Sequence, residues 1–103
     1  MRTPLLSADA VQQRLQTLHG WTLNSSPTPQ TLTRTFNFTA AAQSPFLQGL
    51  EFIKQVAALA ESIDHHPDIF YTYNKVMLTL TTHDSHGLTE KDFELAALIS
   101  SIG

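Results

Sequence analysis

Residues 69–82, with the sequence IFYTYNKVMLTLTT, decide the fold of this chain. The aromatic and β-branched residues on both sides of Asn74-Lys75 predict strands over residues 69–73 and 76–82, joined by a tight antiparallel turn. In the second strand the aliphatic residues point to one face and the threonines to the other, with His83 at the strand end on the threonine side. A hairpin with one apolar face requires a layer of helices to cover that face.

The rest of the chain supplies those helices and a second pair of strands. An alternating strand is predicted over residues 31–38, with a short partner over residues 21–23 across a Pro-rich turn. Helical spacing of apolar residues indicates a first helix that Ser7 caps and Gly20 ends, and a last helix that follows a capping box at Thr89. The predicted order is α-β-β-α-β-β-α. We expect an α+β two-layer fold in which helices cover one face of a four-stranded antiparallel sheet, as a single domain over residues 1–103.

The longest predicted helix covers residues 45–64, with Ser44 as its N-cap. Its apolar residues form two stripes about 110° apart. The first stripe contains Phe46, Leu50, Ile53, Ala57 and Ala60, and the second contains Phe52, Val56, Leu59 and Ile63. The combined apolar arc of about 180° is wider than one sheet needs to cover. We interpret the excess as a contact with a second copy, in a homodimer or homotetramer, with a thick monomeric core as the alternative.

The composition limits the classes of protein to which the chain can belong. It has 103 residues, 42% of them hydrophobic and 15% charged, and a formal charge of −3, which favours a small globular protein. Because no basic cluster is present, direct nucleic-acid binding is not expected. The lack of cysteine removes disulfide, thiolate and iron–sulfur chemistry and fits a cytoplasmic protein. We expect no membrane association, since no apolar run could span a bilayer or form a signal-peptide core.

The histidines are the candidate catalytic groups. The chain has five histidines, and three of them, His65, His66 and His83, are predicted at the ends of elements, where functional sites gather. Pro67 disfavours helical backbone in the residue before it, so the long helix should stop there and direct both adjacent imidazoles out of its hydrogen-bond ladder. The other two, His19 and His86, are expected at the surface. Trp21 and Tyr73 offer flat apolar walls for a ring-shaped ligand.

Two metal-dependent hypotheses compete with acid–base chemistry. Some of these histidines could bind a metal ion together with Asp64, Asp68 or Asp84, but adjacent histidines have no fixed ligand spacing and the chain has no His-Glu-x-x-His. The string Asp64-His65-His66 is also similar to the DHH phosphoesterases. That family needs a longer chain with further aspartate motifs, so we reject it.

Taken together, the residues of the histidine region resemble a known family. The pattern Glu61-x-x-x-His65-His66-Pro67 is followed by Tyr73, His83 and Asp92 after five, nine and eight intervening residues. This pattern resembles the signature of the pterin-4a-carbinolamine dehydratases, and the early Gly-Trp pair and the later Gly-Leu-Thr string agree with it. The resemblance covers nearly the whole chain. It departs at residues 39–45, which look longer than the corresponding segment of animal members.

The resemblance implies an activity. Members of this family dehydrate 4a-hydroxytetrahydropterin to quinonoid dihydropterin, which recycles the tetrahydrobiopterin cofactor of aromatic amino acid hydroxylases, and they need no metal or organic cofactor. By the family pattern, His65 and His83 would carry the proton transfers and His66 would hold the substrate. Backbone groups near Pro67 and from Thr82 through Asp84 to Ser85 would bind the pterin edge, and Trp21 would line the pocket. The implied supporting residues are Glu61, Tyr73 and Asp92. The choice of acid and base among the histidines stays open.

Two other functions stay open beside the enzyme. Animal members also act as dimerisation cofactors of a homeodomain transcription factor through the long helix, so a non-catalytic binding module is the first alternative. A related role in molybdopterin metabolism is the second, because the motif is not restricted to one pterin. The presence of all three histidines favours the enzyme.

Overall fold

The computed structural model describes residues 3–39 and 44–102. Residues 40–43, within the segment that departs from the animal members, lie outside this description. The helices are α1 Ala8–Thr17, α2 Pro45–Ser62 and α3 Glu90–Ser100, and the strands are β1 Thr22–Asn24, β2 Thr31–Asn37, β3 Asp68–Thr72 and β4 Lys75–Leu80. The predicted α+β fold and its order α-β-β-α-β-β-α are confirmed.

The strands form one antiparallel sheet with the order β1-β2-β4-β3. In the central strand β4, Val76, Leu78 and Leu80 are fully buried because they face the helices, whereas Met77 on the opposite face is exposed. This alternation is the one that the sequence predicts for a half-buried strand. The sheet therefore has one face in the core and one face free of helices within the described residues.

Helix α2 covers the sheet with the second of its two predicted apolar stripes. Val56 is fully buried and Phe52 nearly so, and the ring of Phe52 lies 4.5 Å from that of Phe36 on β2. From the first stripe, Phe46 and Leu50 are exposed, whereas Ala60 near the end of the helix is buried together with the second stripe. The sequence left open which stripe faces the sheet, and the structure decides it.

The predicted helix starts are confirmed by their side-chain caps. The Ser7 and Ser44 hydroxyls each accept a hydrogen bond from a backbone N–H of the first helical turn. Thr89 and Asp92 form the complete capping box of α3. The predicted end of α1 is wrong, because the helix stops at Thr17 and Gly20, with a φ of 89°, instead turns the chain toward β1.

The predicted hairpin has the right strands but a shifted turn. Because Thr72 pairs with Lys75, the two turn residues are Tyr73 and Asn74 rather than Asn74 and Lys75, and Tyr73 takes a positive φ of 38°. Strand β4 also ends at Leu80, so His83 does not close a strand as predicted. Among residues 3–39 and 44–102, no helix is long and apolar enough to cross a bilayer.

Candidate active site

A cleft of about 330 Å³ opens where the end of α2, the chain after β4 and the start of α3 meet. It brings together three of the five histidines. Its wall consists of Asp64, His65, His66, Thr81, Thr82, His83, Asp84 and Lys91. The cleft therefore combines groups that can exchange protons near neutral pH with both negative and positive side chains.

The end of α2 places the first histidine. The helix stops at Ser62, and the chain then reverses at Asp64, whose φ of 51° lies in the left-handed region. The Asp64 N–H donates to the Glu61 carbonyl at 3.3 Å, and the His65 N–H donates to the Ala60 carbonyl at 3.0 Å. These two bonds form a Schellman motif, which ends a helix and turns the chain away from its axis.

This motif corrects the predicted helix end. The helix stops before residue 64, so the break comes from the reversal at Asp64 and not from Pro67. Aspartate tolerates the left-handed conformation better than most residues that are not glycine. The reversal leaves His65 facing the first turn of α3.

His65 is joined there to a buried carboxylate. Its Nε2 lies 2.7 Å from Asp92 Oδ1, and the side chains of His65 and Asp92 are 10% and 0% exposed. Because an ionised carboxylate only accepts hydrogen bonds, Nε2 carries the proton and donates a hydrogen bond to Asp92. Nδ1 has no hydrogen-bond partner within the described residues. Because no buried side-chain nitrogen or oxygen there lacks a partner, Nδ1 is accessible to solvent, and His65 lines the cleft.

His66 has a carboxylate partner of a different kind. Its Nε2 hydrogen-bonds Glu61 on the last turn of α2. The two side chains are 54% and 76% exposed. Solvent screens such a pair, so Glu61 holds this imidazole only loosely at the cleft rim.

A short loop carries His83. The backbones of Thr82 and Gly87 pair with each other, and the chain between them forms a 3₁₀ turn, His83–Ser85, followed by His86 in the left-handed conformation. His83 and Asp84 are exposed at the cleft wall, whereas Ser85 is buried and its hydroxyl donates to the Thr3 carbonyl. The side chain of Ser85 is therefore turned away from the cleft.

The structure does not bring Trp21 to the cleft as the resemblance implied. The ring is 7% exposed within the core, and its N–H donates to Ser100 Oγ at 3.0 Å. Ser100 ends α3, whereas Lys91 and Asp92 at the cleft lie in the first turn of that helix. A helix rises about 1.5 Å per residue, so roughly 12 Å separates Trp21's partner from Asp92 along the axis.

Tyr73 and Pro67 also lie outside the cleft wall. Tyr73 is 62% exposed in the turn that follows β3, at the opposite end of that strand from His66. At about 3.3 Å per residue, a strand of this length separates the two by roughly 16 Å. Pro67 is half-buried between His66 and β3 and does not line the cleft.

Three residues of the wall were not predicted as pterin-binding. Asp64 was considered only as a metal ligand, while Thr81 and Lys91 were not considered as site residues. Thr81 precedes Thr82, and Lys91 precedes Asp92, so each lies next to a residue that the sequence did single out. Lys91 contributes the positive charge of the cleft wall.

The geometry of the described residues disfavours a metal site. No group of three or more histidine, aspartate or glutamate side chains among residues 3–39 and 44–102 is arranged to hold a metal ion. A second cleft of about 290 Å³ lies between α1 and α3, with Arg14, Glu90 and Phe93 in its wall, and it contains no histidine. The first cleft is the better candidate for acid–base chemistry.

Comparisons with known proteins identify the family. The model of the family described as pterin 4 alpha carbinolamine dehydratase matches residues 4–102. A Nostoc punctiforme protein named "Putative pterin-4-alpha-carbinolamine dehydratase" is 44% identical over 97% of this chain and 98% of its own length. A Sulfolobus acidocaldarius protein of the same name is 37% identical over 94% of this chain and 97% of its own. The chain therefore belongs to the pterin-4a-carbinolamine dehydratase family.

Two solved structures share the fold. A transcriptional coactivator/pterin dehydratase from Brucella melitensis superimposes with a TM-score of 0.83 at 34% identity, over 95% of this chain and 97% of that one. A pterin dehydratase-like protein described as a RuBisCO assembly factor in the alpha-carboxysome gives 0.63 at 27% identity, over 82% and 89% of the two chains. The fold thus occurs in proteins with different descriptions, so the activity of this chain has to be argued from its own cleft.

Proposed function

We propose that this chain dehydrates 4a-hydroxytetrahydropterin to quinonoid dihydropterin and water. The C4a–O bond breaks as an acid protonates the departing hydroxyl, and a base removes the N5 proton as the new double bond forms. The reaction is a redox-neutral loss of water, so two groups that move protons near neutral pH are sufficient. The product is the form from which a pterin-dependent aromatic amino acid hydroxylase recovers its cofactor, and we propose that functional link.

The observation that carries this proposal is the His65–Asp92 pair at the cleft. A buried carboxylate that accepts from one ring nitrogen orients the imidazole and leaves the other nitrogen for a substrate. His66 and His83 share the same wall, so a ring-shaped substrate in a cleft of about 330 Å³ would contact more than one imidazole. We propose that His65 and His83 carry the two proton transfers and that His66 holds the substrate.

The test follows the decay of the 4a-carbinolamine in a phenylalanine hydroxylase reaction supplied with this protein. We expect His83→Ala to lower the dehydration rate about 10²-fold or more, the usual scale of a lost acid or base. Because His83 is exposed, the variant should keep the wild-type circular dichroism spectrum and melting temperature. His19→Ala, at an exposed position outside the cleft, is the matched control and should keep the full rate.

A wild-type rate in His83→Ala would contradict the role of this residue. His65→Ala is the less informative variant, because it is expected to disturb the fold. Its partner Asp92 is fully buried, and removal of His65 leaves that carboxylate without its pair. Such a loss destabilises the fold as well as the site.

We also propose that the outer face of α2 contacts a second copy of this chain. Phe46, Leu47 and Leu50 are 45%, 49% and 37% exposed on one side of the helix. Large apolar side chains grouped in this way mark contact surfaces in soluble proteins. The pairing of identical copies about a two-fold axis is the simplest closed contact that buries them.

Two glutamate substitutions on α2 test this contact. Leu50→Glu should give a folded species of smaller mass by light scattering, because it places a charge on the outer face only. Val56→Glu should prevent folding, because Val56 is fully buried against the sheet. A wild-type protein that is monomeric at micromolar concentration would overturn the proposal and leave the outer face to a different partner, as in the binding-module alternative.

A further inference from the structure

Behind His65 lies a buried hydrogen-bond network that includes two threonines. Thr82 Oγ1 is 2.8 Å from Asp92 Oδ2 and 2.7 Å from Thr89 Oγ1, and the backbone N–H of Thr89 donates to the same Oδ2 at 2.9 Å. Thr82 is 8% exposed, and Thr89 and Asp92 are fully buried. The network therefore operates away from bulk water, where each hydrogen bond counts most.

The direction of each hydrogen bond follows from what its groups can donate. The Asp92 carboxylate only accepts, so the Thr82 hydroxyl donates to Oδ2. The oxygen of Thr82 then accepts from the Thr89 hydroxyl, whose own oxygen accepts from the Lys91 backbone N–H at 3.2 Å. Proton donation thus runs in one direction, from Thr89 through Thr82 to Asp92.

This direction determines what is left for His65. Two donors, the Thr82 hydroxyl and the Thr89 N–H, occupy Oδ2, so Oδ1 is the oxygen that faces the imidazole. The carboxylate cannot rotate without breaking both of those bonds. Nε2 of His65 consequently keeps its proton on the Asp92 side, and Nδ1 is the nitrogen that a substrate meets.

We infer that Thr82 and Thr89 are positioning residues, which hold Asp92 so that His65 presents an unprotonated Nδ1 to the cleft. The effect of these threonines on the reaction rate rests on the proposed dehydratase activity, whereas their effect on the tautomer of His65 does not. The resemblance implied that backbone groups around Thr82 bind the substrate, and the inference adds a separate role for the Thr82 side chain. Thr82 lies two residues beyond Leu80, the last residue of β4, and its side chain is buried as well.

The test compares Thr82→Ser with Thr82→Ala. Both variants lose the γ-methyl group, and only Ser keeps the hydroxyl, so the difference between them reports the hydrogen bond and not the packing. Two-bond ¹H–¹⁵N spectra of the imidazoles give the tautomer of His65 directly. We expect Thr82→Ser to keep the Nε2–H tautomer and Thr82→Ala to show a mixture of tautomers.

The kinetic arm uses the carbinolamine decay assay. We expect Thr82→Ala to lower kcat about tenfold with little change in KM, which is the rate equivalent of one charge-assisted hydrogen bond. Thr82→Ser should restore most of the rate. Thr79→Ala is the control, because Thr79 lies in β4 on the face free of helices and loses the same atoms outside the network.

Equal His65 tautomers in the Ser and Ala variants would overturn the inference. So would a rate loss in Thr82→Ser as large as that in Thr82→Ala. If the wild-type protein does not accelerate the dehydration at all, the proposed function fails, whereas the tautomer comparison still decides the role of Thr82. Should Thr82→Ala not fold, Thr82→Val keeps the volume of the side chain and enters both measurements in its place.

Discussion

Two adjacent histidines, His65 and His66, each hydrogen-bond a carboxylate through Nε2, yet the two pairs differ in burial and in the other hydrogen bonds of the carboxylate. The His65–Asp92 pair is buried, and Asp92 accepts two further hydrogen bonds from Thr82 and Thr89. The His66–Glu61 pair is exposed, and both members belong to the α2 terminus, five positions apart. The same two residue types therefore give one fixed imidazole and one loosely held imidazole.

The difference shows that burial, and not the presence of a partner, decides what a carboxylate does for a histidine. Breaking a buried pair typically costs about 3–5 kcal/mol, because the remaining group stays in the interior without its partner. An exposed pair contributes about 0–1 kcal/mol, since water and salt screen it. We therefore expect neutralisation of Asp92 to lower the dehydration rate and the free energy of unfolding much more than neutralisation of Glu61.

The largest effect is expected for Asp92→Asn. The two donors at Oδ2 need the amide oxygen, so the amide NH₂ must face His65 and select the tautomer with its proton on Nδ1. We expect the dehydration rate to fall about 10²-fold or more. The free energy of unfolding should fall by about 3 kcal/mol in urea titrations. An Asp92→Asn variant with the wild-type rate would show that the orientation of His65 is irrelevant.

A smaller effect is expected for Glu61→Gln, the matched change at the exposed pair. The glutamine can still hydrogen-bond His66, and the charge that it loses is screened by solvent. We expect the free energy of unfolding to change by less than about 1 kcal/mol and the dehydration rate to change only a few-fold. If Glu61→Gln lowered the dehydration rate as much as Asp92→Asn, the exposed carboxylate would have an equal role, which would contradict the distinction between the two pairs.

The smallest effect is expected for Arg14→Gln, at an exposed pair that lines the second cleft and not the histidine cleft. Arg14 donates hydrogen bonds to Glu90 through Nη1 and Nη2, and these bonds to the Glu90 carboxylate raise the pKa of Arg14 above its ordinary value. Because the pKa of Arg14 is raised in the folded state, the pair stabilises the fold at every pH below the ordinary pKa of the guanidinium. This contribution is lost only when the pH rises through the raised pKa. The difference in melting temperature between Arg14→Gln and wild type should therefore be small and should stay constant across the neutral pH range. A difference that changed within the neutral range would contradict this account of the pair.

The sequence predicted those parts of the molecule that depend on local chemistry. Thr89 and Asp92 stand at the spacing of a capping box, and the structure contains that box. The apolar alternation of β4 fixes which residues enter the core. Positions at the ends of elements indicated the three histidines, which do line one cleft, and the resemblance supplied the family.

The failures include local shifts at the ends of elements and contacts between residues that are distant along the chain. A one-residue shift of the turn decides whether Tyr73 or Lys75 occupies it, and no short-range pattern fixes that shift. Trp21 could have faced either the cleft or the core, and its bond to Ser100 is formed between residues 79 positions apart. The contact of Thr82 with Asp92 depends on how closely β4 approaches α3, which only the packed structure defines.

Stopped-flow measurement of 4a-hydroxytetrahydropterin dehydration, with wild type and His83→Ala at equal concentration, tests the proposed dehydratase activity. We expect the wild type to accelerate the loss of the carbinolamine well beyond its spontaneous rate. His83→Ala should retain at most about one hundredth of that acceleration while remaining folded. A wild-type protein that leaves the spontaneous rate unchanged would contradict the account, because the cleft would then hold its three histidines for another purpose.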